Sequence, residues 1–158
     1  MEHEIYVSRE VKHLGHNNSA ALIKQAICRA LEAEGVKQPC LISVMLTDDE
    51  GIHRVNREFR GIDRPTDVLS FPLNELRPGD FDPDACEVDL DTGSLMLGDM
   101  MISVPRCESQ GEEFGHGYER ELQYLTVHSL LHLLGYDHVD DGPMKRQMRE
   151  REKLIMGD

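Results

Sequence analysis

Residues 128–138 read His-Ser-Leu-Leu-His-Leu-Leu-Gly-Tyr-Asp-His and contain three of the eight histidines of the chain. Positions i and i+4 lie on one face of a helix, so His128 and His132 can direct their imidazoles at one point. Gly135 can adopt the left-handed conformation that ends a helix, which lets the chain turn and return His138 toward that point. The stretch predicts a helix end with three converging histidines.

Three converging imidazoles are the ligand set of a catalytic zinc site, with a fourth position left for water. A single helical histidine is usually a packed or surface residue, and a His-x-x-x-His pair alone is a weak signal. Here the third histidine follows a glycine inside an apolar stretch, where unpartnered polar rings would be costly to bury. The pattern predicts one Zn²⁺ ion on His128, His132 and His138. Zinc lowers the pKa of its water to about 7 and polarises carbonyl or phosphoryl oxygens, so a metal-dependent hydrolase is expected.

Length and composition predict one globular domain, residues 1–158. No apolar run approaches the ~20 residues of a membrane span. The first residues, Met-Glu-His-Glu-Ile, lack the basic and apolar regions of a signal peptide, so we expect a cytoplasmic protein without a membrane partner. The four cysteines include no Cys-x-x-Cys pair and are expected to be free thiols.

The net charge of −13 is unevenly distributed. Residues 74–92 carry seven acidic residues and one base, Arg77, together with two prolines and one glycine. This composition predicts a solvated, mobile loop excursion. Bulk negative charge limits non-specific binding to nucleic acid, but it does not exclude a local basic cleft beside a divalent metal.

Strand and helix patterns are intermixed along the chain, without a repeat or a linker. We predict strands at 4–8, 40–46, after the turn in 64–72 and at 94–104, and helices at about 19–34, 49–60, 118–134 and after Asp140-Asp141-Gly142-Pro143. In the second helix, Asp48 is the expected cap, with Ile52, Val55 and Phe59 facing inward. The order predicts an α+β fold: a single-layer mixed sheet with packed helices, and the metal site on the long helix of the C-terminal half.

Ser129 discriminates between two hydrolase classes. The metzincin peptidases share the histidine and glycine spacing of residues 128–138, but they need glutamate directly after the first histidine as the general base. A serine hydroxyl has no basic pKa near neutrality, and peptide cleavage also needs an acid for the amine leaving group. A metalloprotease-like hydrolase therefore remains an alternative and not the preferred interpretation.

A nuclease needs positive charge around the phosphate more than it needs a carboxylate base. The predicted helix 49–60 carries Arg54, Arg57 and Arg60, and Arg64 follows it. Arg54 and Arg57 are explained as ordinary solvated residues. Arg60 stands at the helix end, immediately before a turn, where its side chain can lean into a cleft.

A non-catalytic protein with a structural zinc site is a further alternative. Structural sites normally close with four protein ligands. Asp99 or Asp137 could supply the fourth ligand here.

Four ordered blocks resemble the YbeY-type rRNA maturation endoribonucleases. Residues 128–138 are close to the family form His-Gly-x-Leu-His-Leu-x-Gly-Tyr-Asp-His. Asn56 to Arg60 resembles Asn-x-x-Tyr/Phe-Arg, and Thr66 to Pro72 (Thr-Asp-Val-Leu-Ser-Phe-Pro) is identical to a family block. Leu97 to Ser103 resembles Leu-Gly-Asp-Ile-x-Ile-Ser. The resemblance spans roughly residues 40–140.

The resemblance implies a zinc-containing endoribonuclease that prefers single strands. It also implies action in rRNA maturation, notably at the 3′ end of the small-subunit RNA, and in ribosome quality control. The implied partners are single-stranded RNA or rRNA and the ribosome or ribosome-associated proteins. By the resemblance, His128, His132 and His138 are the metal ligands and Arg60 is the catalytic residue.

Two positions depart from the family pattern, and two others carry no assigned role. Ser129 replaces the usual glycine, and the acidic stretch 74–92 is longer than in the family. Thr66 and Asp67 form either a turn, with Asp67 accepting backbone hydrogen bonds, or an outer contact that orients a ligand histidine. The nucleophile is either a metal-held water or the RNA 2′-hydroxyl.

Overall fold

The fold is described from a computed structural model, which covers residues 2–138 and 142–157. Within these residues, five strands form one sheet: β1 Glu4–Arg9, β2 Cys40–Thr47, β3 Val68–Pro72, β4 Glu87–Val88 and β5 Leu95–Ser103. Their spatial order is β1-β2-β5-β3, and β4 also pairs with β5. β1, β2 and β5 run parallel, whereas β3 and β4 are antiparallel to β5. The sheet is therefore mixed, as predicted.

Five α-helices of the described residues accompany the sheet: α1 Ser19–Ala33, α2 Asp49–Arg60, α3 Val104–Glu113, α4 Gly117–Leu133 and α5 Pro143–Met156. Alternate residues of β5 point to opposite faces. Met100 and Ile102 join the main core with α1, α4 and α5, whereas Met101 packs with Ile52 of α2 and Leu69 of β3. The predicted α+β architecture is confirmed. No helix among the described residues is long and apolar enough to cross a membrane.

The ends of α2 follow the signals in the sequence. Asp48 Oδ1 accepts a hydrogen bond from the Gly51 backbone N–H at 2.8 Å, and Gly61 ends the helix with φ +68°. The inward position predicted for Phe59 is wrong, because its side chain is 71% exposed. Its ring meets the edge of Phe71, with 6.0 Å between the ring centroids.

Helix α3 was not expected from the sequence. Its cap is Ser103, whose hydroxyl accepts a hydrogen bond from the Arg106 N–H at 3.3 Å, and Pro105 lies in its first turn. Proline is favoured there because that turn has no intrahelical partner for the missing N–H. Asp140 and Asp141, expected to precede the last helix, lie outside the described residues.

Gly98 makes the irregularity that was expected in β5. The register with β2 shifts between Leu41 and Ile42, and Gly98 has φ +137°. A Cβ at this position would lie 2.3 Å from the carbonyl oxygen of Phe71, so the close approach of β3 requires glycine.

The acidic segment 74–92 is more structured than its composition suggested. It contains a short 3-10 helix, Pro83–Ala85, and strand β4. Leu76 and Phe81 pack against the main core, and the Asn74 side-chain amide donates to Met96 O at 2.8 Å. Backbone pairing and apolar contacts thus hold this segment on the domain.

Candidate metal centre

Helix α4 places the first two histidines one turn apart at its C-terminal end. The ring centroids of His128 and His132 lie 4.8 Å apart. The ring centroid of His138 lies 5.2 Å from that of His128 and 4.9 Å from that of His132. The three rings meet as their spacing predicts.

Gly135 returns the chain toward α4. It has φ +101°, and a Cβ here would lie 2.3 Å from the carbonyl oxygen of Leu76. The Tyr136 N–H donates to Leu131 O at 3.0 Å, which ties the turn to the last helical turn. A residue with a side chain would meet both backbone strain and a steric clash at Gly135. The turn that presents His138 therefore depends on this glycine.

Hydrogen bonds determine which ring nitrogen carries the proton in both helical histidines. The Nδ1 atom of His128 lies 2.5 Å from Glu152 Oε2, and the Nδ1 atom of His132 lies 3.0 Å from the carbonyl oxygen of Tyr136. A carboxylate and a carbonyl accept hydrogen bonds, so Nδ1 must carry the proton in each ring. The lone pairs of both Nε2 atoms remain available for a metal ion, which is the arrangement common among ligating histidines.

The three histidine side chains could hold a metal ion. One ligand atom from each of His128, His132 and His138 lies within 4.8 Å of the others, and among the described residues this group contains no carboxylate. Asp99 lies elsewhere, in a depression lined by Ser43 and Phe59, so it is excluded as a closing ligand. Asp137 borders the cleft, but its Oδ1 accepts from the His138 N–H at 2.7 Å.

The environment of His132 keeps its imidazole neutral. Burial lowers its pKa from 6.5 to about 4, with further lowering from His128 and His138. A neutral imidazole is the form that binds metal. His132 is therefore ready to act as a ligand at neutral pH.

Arg60 and strand β3 line the same cleft as the histidines. The cleft has a volume of about 350 Å³ and is bordered by Arg60, Thr66, Asp67, Ser70 and the three histidines. Arg60 Nη1 donates to Asn56 Oδ1 at 3.4 Å, and the Asn56 amide donates to Arg64 O at 2.9 Å. Asn56 is 1% exposed, so it anchors the turn after α2.

The other arginines of α2 lie outside the cleft. Arg54 forms an ion pair with Glu10 at 3.1 Å. Arg57 borders a separate depression with Glu50 and His53. The interpretation of these two as ordinary surface residues agrees with their positions.

Asp67 and Thr66 form a turn and, among the described residues, make no hydrogen bond to a ligand histidine. Asp67 Oδ1 accepts from the Val68 N–H at 2.7 Å and from the Thr66 hydroxyl at 3.3 Å. Its Oδ2 accepts from Gln110 at 3.4 Å, and Gln110 also donates to the buried Glu121 at 2.7 Å. Of the two roles considered for Asp67, the structure supports the turn.

Sequence reasoning missed Glu152, which makes the outer contact to His128. Its position in the helical pattern of α5 could have identified it. Met148, Glu152 and Ile155 lie on the buried side of α5, so a carboxylate occupies a position where an apolar residue was expected. A buried acidic residue that needs a partner is a candidate functional group.

Comparison with known proteins agrees with this geometry. The family model described as Endoribonuclease YbeY matches residues 4–158. The chain belongs to this family. The resemblance inferred from the four sequence blocks is thereby confirmed, and the match extends beyond residues 40–140 to both sides.

Individual members of the family match most of the chain. The Endoribonuclease YbeY of Clostridium kluyveri is 47% identical over 141 residues, which cover 85% of each chain. That of Lachnoclostridium phytofermentans is 42% identical over 157 residues, covering 96% of this chain and 94% of the relative. The solution structure of TM1509 from Thermotoga maritima matches with a TM-score of 0.58 and 26% identity, covering 97% of this chain and 89% of that one.

Proposed function

We propose that this chain is a zinc-dependent endoribonuclease that prefers single-stranded RNA. The observation that carries the proposal is the cleft in which three histidine ligand atoms and Arg60 lie together, in a chain of the YbeY family. Its substrate in the cell is ribosomal RNA, notably the 3′ end of the small-subunit RNA. It acts in the cytoplasm with the ribosome or ribosome-associated proteins, in rRNA maturation and ribosome quality control.

The chain supplies binding and electrostatic stabilisation for this reaction. His128, His132 and His138 would hold one Zn²⁺ ion, which when bound would supply Lewis acidity and lower the pKa of water at the site. Arg60 binds a phosphate oxygen and stabilises the negative charge that develops on it during cleavage. A guanidinium suits this role because its donors match the oxygens of a phosphate.

The size of the cleft supports the preference for single strands. At about 350 Å³ it has the volume of a small-ligand site, which accommodates one nucleotide with its phosphate. Single-stranded RNA can turn a base out of its stack and place the adjacent phosphate in such a space, whereas a duplex cannot enter without opening.

Two features argue against the alternatives. A peptidase would need a carboxylate at position 129, where this chain has serine. Ser129 is buried, and its hydroxyl lies 2.7 Å from the hydroxyl of Ser70. A closed structural zinc site would need a fourth protein ligand, and the group of candidate ligands among the described residues consists of three histidines.

The proposal is tested on purified protein, by metal analysis and by cleavage assays with and without chelator. We expect one zinc per chain, cleavage of an unstructured RNA and slow cleavage of a hairpin, both abolished by chelator and restored by zinc. If the protein cleaves casein and leaves RNA intact, the proposal is overturned in favour of a peptidase. If it binds zinc tightly and cleaves neither RNA nor casein, a structural zinc site is favoured. An unstructured substrate that lacks 2′-hydroxyls then identifies the nucleophile, since undiminished cleavage excludes the 2′-hydroxyl route.

A further inference from the structure

One carboxylate of α5 is nearly buried beside the metal centre, at a depression that Lys145 and Arg149 also border. Glu152 is 5% exposed. Its Oε2 accepts from Nδ1 of His128 at 2.5 Å, and its Oε1 accepts from the Tyr124 hydroxyl at 3.1 Å. Burial raises the pKa of Tyr124, so its hydroxyl remains a donor. Glu152 is thus held at both oxygens, one of them by a proposed ligand.

The preceding residue of α5 supports the other helical histidine. Arg151 Nε donates to Glu34 Oε2 at 2.7 Å, and its Nη2 donates to Ala33 O at 3.0 Å. The other oxygen of Glu34 accepts from the Tyr136 hydroxyl. The Tyr136 carbonyl in turn accepts from Nδ1 of His132 at 3.0 Å. A chain of contacts therefore runs from Arg151 to the second ligand.

The packing of α5 does not explain these polar contacts. Met148, Ile155 and Met156 are buried and supply an apolar stripe of the kind that docks a helix. Burying a carboxylate is costly, and replacing a buried ion pair by apolar side chains is often neutral or stabilising. The position of Glu152 is better explained by what it does to His128 than by a contribution to stability.

We infer that α5 sets the metal affinity of this site, with Glu152 as the main positioning residue and Arg151 as its counterpart for His132. Glu152 holds the Nδ1-protonated tautomer of His128 and makes its Nε2 a stronger donor. Outer contacts of this kind typically contribute a factor of about 10–100 in metal affinity. The inference rests on the proposed zinc site but not on RNA cleavage, since its test measures metal binding.

The test compares zinc affinity among variants of the full chain by competition with a chromophoric chelator. Glu152→Ala removes both the hydrogen bond and the charge, and we expect affinity to fall about 10–100-fold. Glu152→Gln keeps an acceptor without the charge and is expected to lose less. Tyr124→Phe frees one carboxylate oxygen and should give a small loss. Glu150→Ala is the matched control, because Glu150 is exposed on the same helix.

Two further measurements separate positioning from a merely structural role. The ¹⁵N chemical shifts of the His128 ring in metal-free protein report its tautomer, and Glu152→Ala should shift it from the pure Nδ1–H form toward a mixture. In Glu152→Gln, which keeps an acceptor for Tyr124 and His128, the free energy of unfolding of the metal-free protein should change less than the free energy of zinc binding. A structural role predicts the reverse: lower metal-free stability with unchanged affinity and tautomer.

The outcomes are distinct. Zinc affinity in Glu152→Gln, Glu152→Ala and Tyr124→Phe equal to that of Glu150→Ala overturns this inference and leaves the proposed function intact. Failure of the unmodified protein to bind zinc overturns both. If Glu152→Ala does not fold, the comparison of Glu152→Gln and Tyr124→Phe with Glu150→Ala decides the question.

Discussion

The hydroxyls of Ser70 and Ser129 lie 2.7 Å apart and join strand β3 to helix α4 next to His128. Ser129 is fully buried. The contact therefore connects one wall of the cleft to the helix that carries the histidines.

Removing this contact should cost stability. Ser129→Ala leaves the Ser70 hydroxyl without this partner, and we expect the free energy of unfolding in urea to fall by about 1 kcal/mol. The double variant Ser70→Ala/Ser129→Ala should cost less than the sum of the two single changes, because they remove the same hydrogen bond. Strictly additive losses would show that the two hydroxyls are not coupled.

Arg60→Ala should separate metal binding from catalysis. Arg60 borders the cleft, but the candidate ligand group consists of the three histidines. The variant should keep one zinc per chain while cleavage of unstructured RNA falls about 10²–10³-fold, the loss expected for one donor to developing charge. Arg57→Ala is the control, since Arg57 lies in a different depression. Full activity of the Arg60 variant would remove this residue from the proposed reaction.

Gly135→Ala should disrupt the turn to His138. The variant combines a left-handed backbone, which costs roughly 1–2 kcal/mol for a residue with a Cβ, with a Cβ placed 2.3 Å from Leu76 O. We expect a larger loss of unfolding free energy than backbone strain alone gives, together with weaker zinc binding. Gly157→Ala isolates the strain, because its φ is +80° and no atom lies within 4 Å of the added Cβ. Equal losses at the two positions would contradict the steric argument.

The metal-free protein should lose stability when acidified. The pKa of His132 is about 4 in the folded chain against 6.5 for an unperturbed histidine, so between these values the unfolded state binds more protons. The free energy of unfolding therefore rises with pH across this window and falls as pH is lowered from 6.5 to 4. Chelator-treated protein and its His132→Gln variant, unfolded in urea at several pH values, measure the effect. The variant should show a shallower dependence, and identical slopes would refute this contribution.

Local rules were sufficient for the elements that carry the histidines. The helical spacing of His128 and His132 and the turn at Gly135 each depend on a few neighbouring residues, so both could be predicted from the sequence. The cap of α2 by Asp48 and its end at Gly61 follow for the same reason.

The features that were missed depend on distant parts of the chain. Helix α3 buries few residues, Val104, Cys107 and Gly111, so its hydrophobic pattern is weak. Phe59 has helical spacing toward the core, but the fold leaves most of its ring uncovered. The partner of Glu152 lies 24 positions away on another helix, and no local pattern specifies such a pairing.

The bond between His128 and Glu152 also has a consequence during protein synthesis. The two residues come from different helices, and the carboxylate enters the growing chain well after all three histidines. Until translation has passed residue 152, the nascent polypeptide holds its imidazoles without the group that orients one of them. On the proposed metal site, a nascent chain that ends before residue 152 is therefore expected to bind zinc about 10–100-fold less tightly than the finished chain.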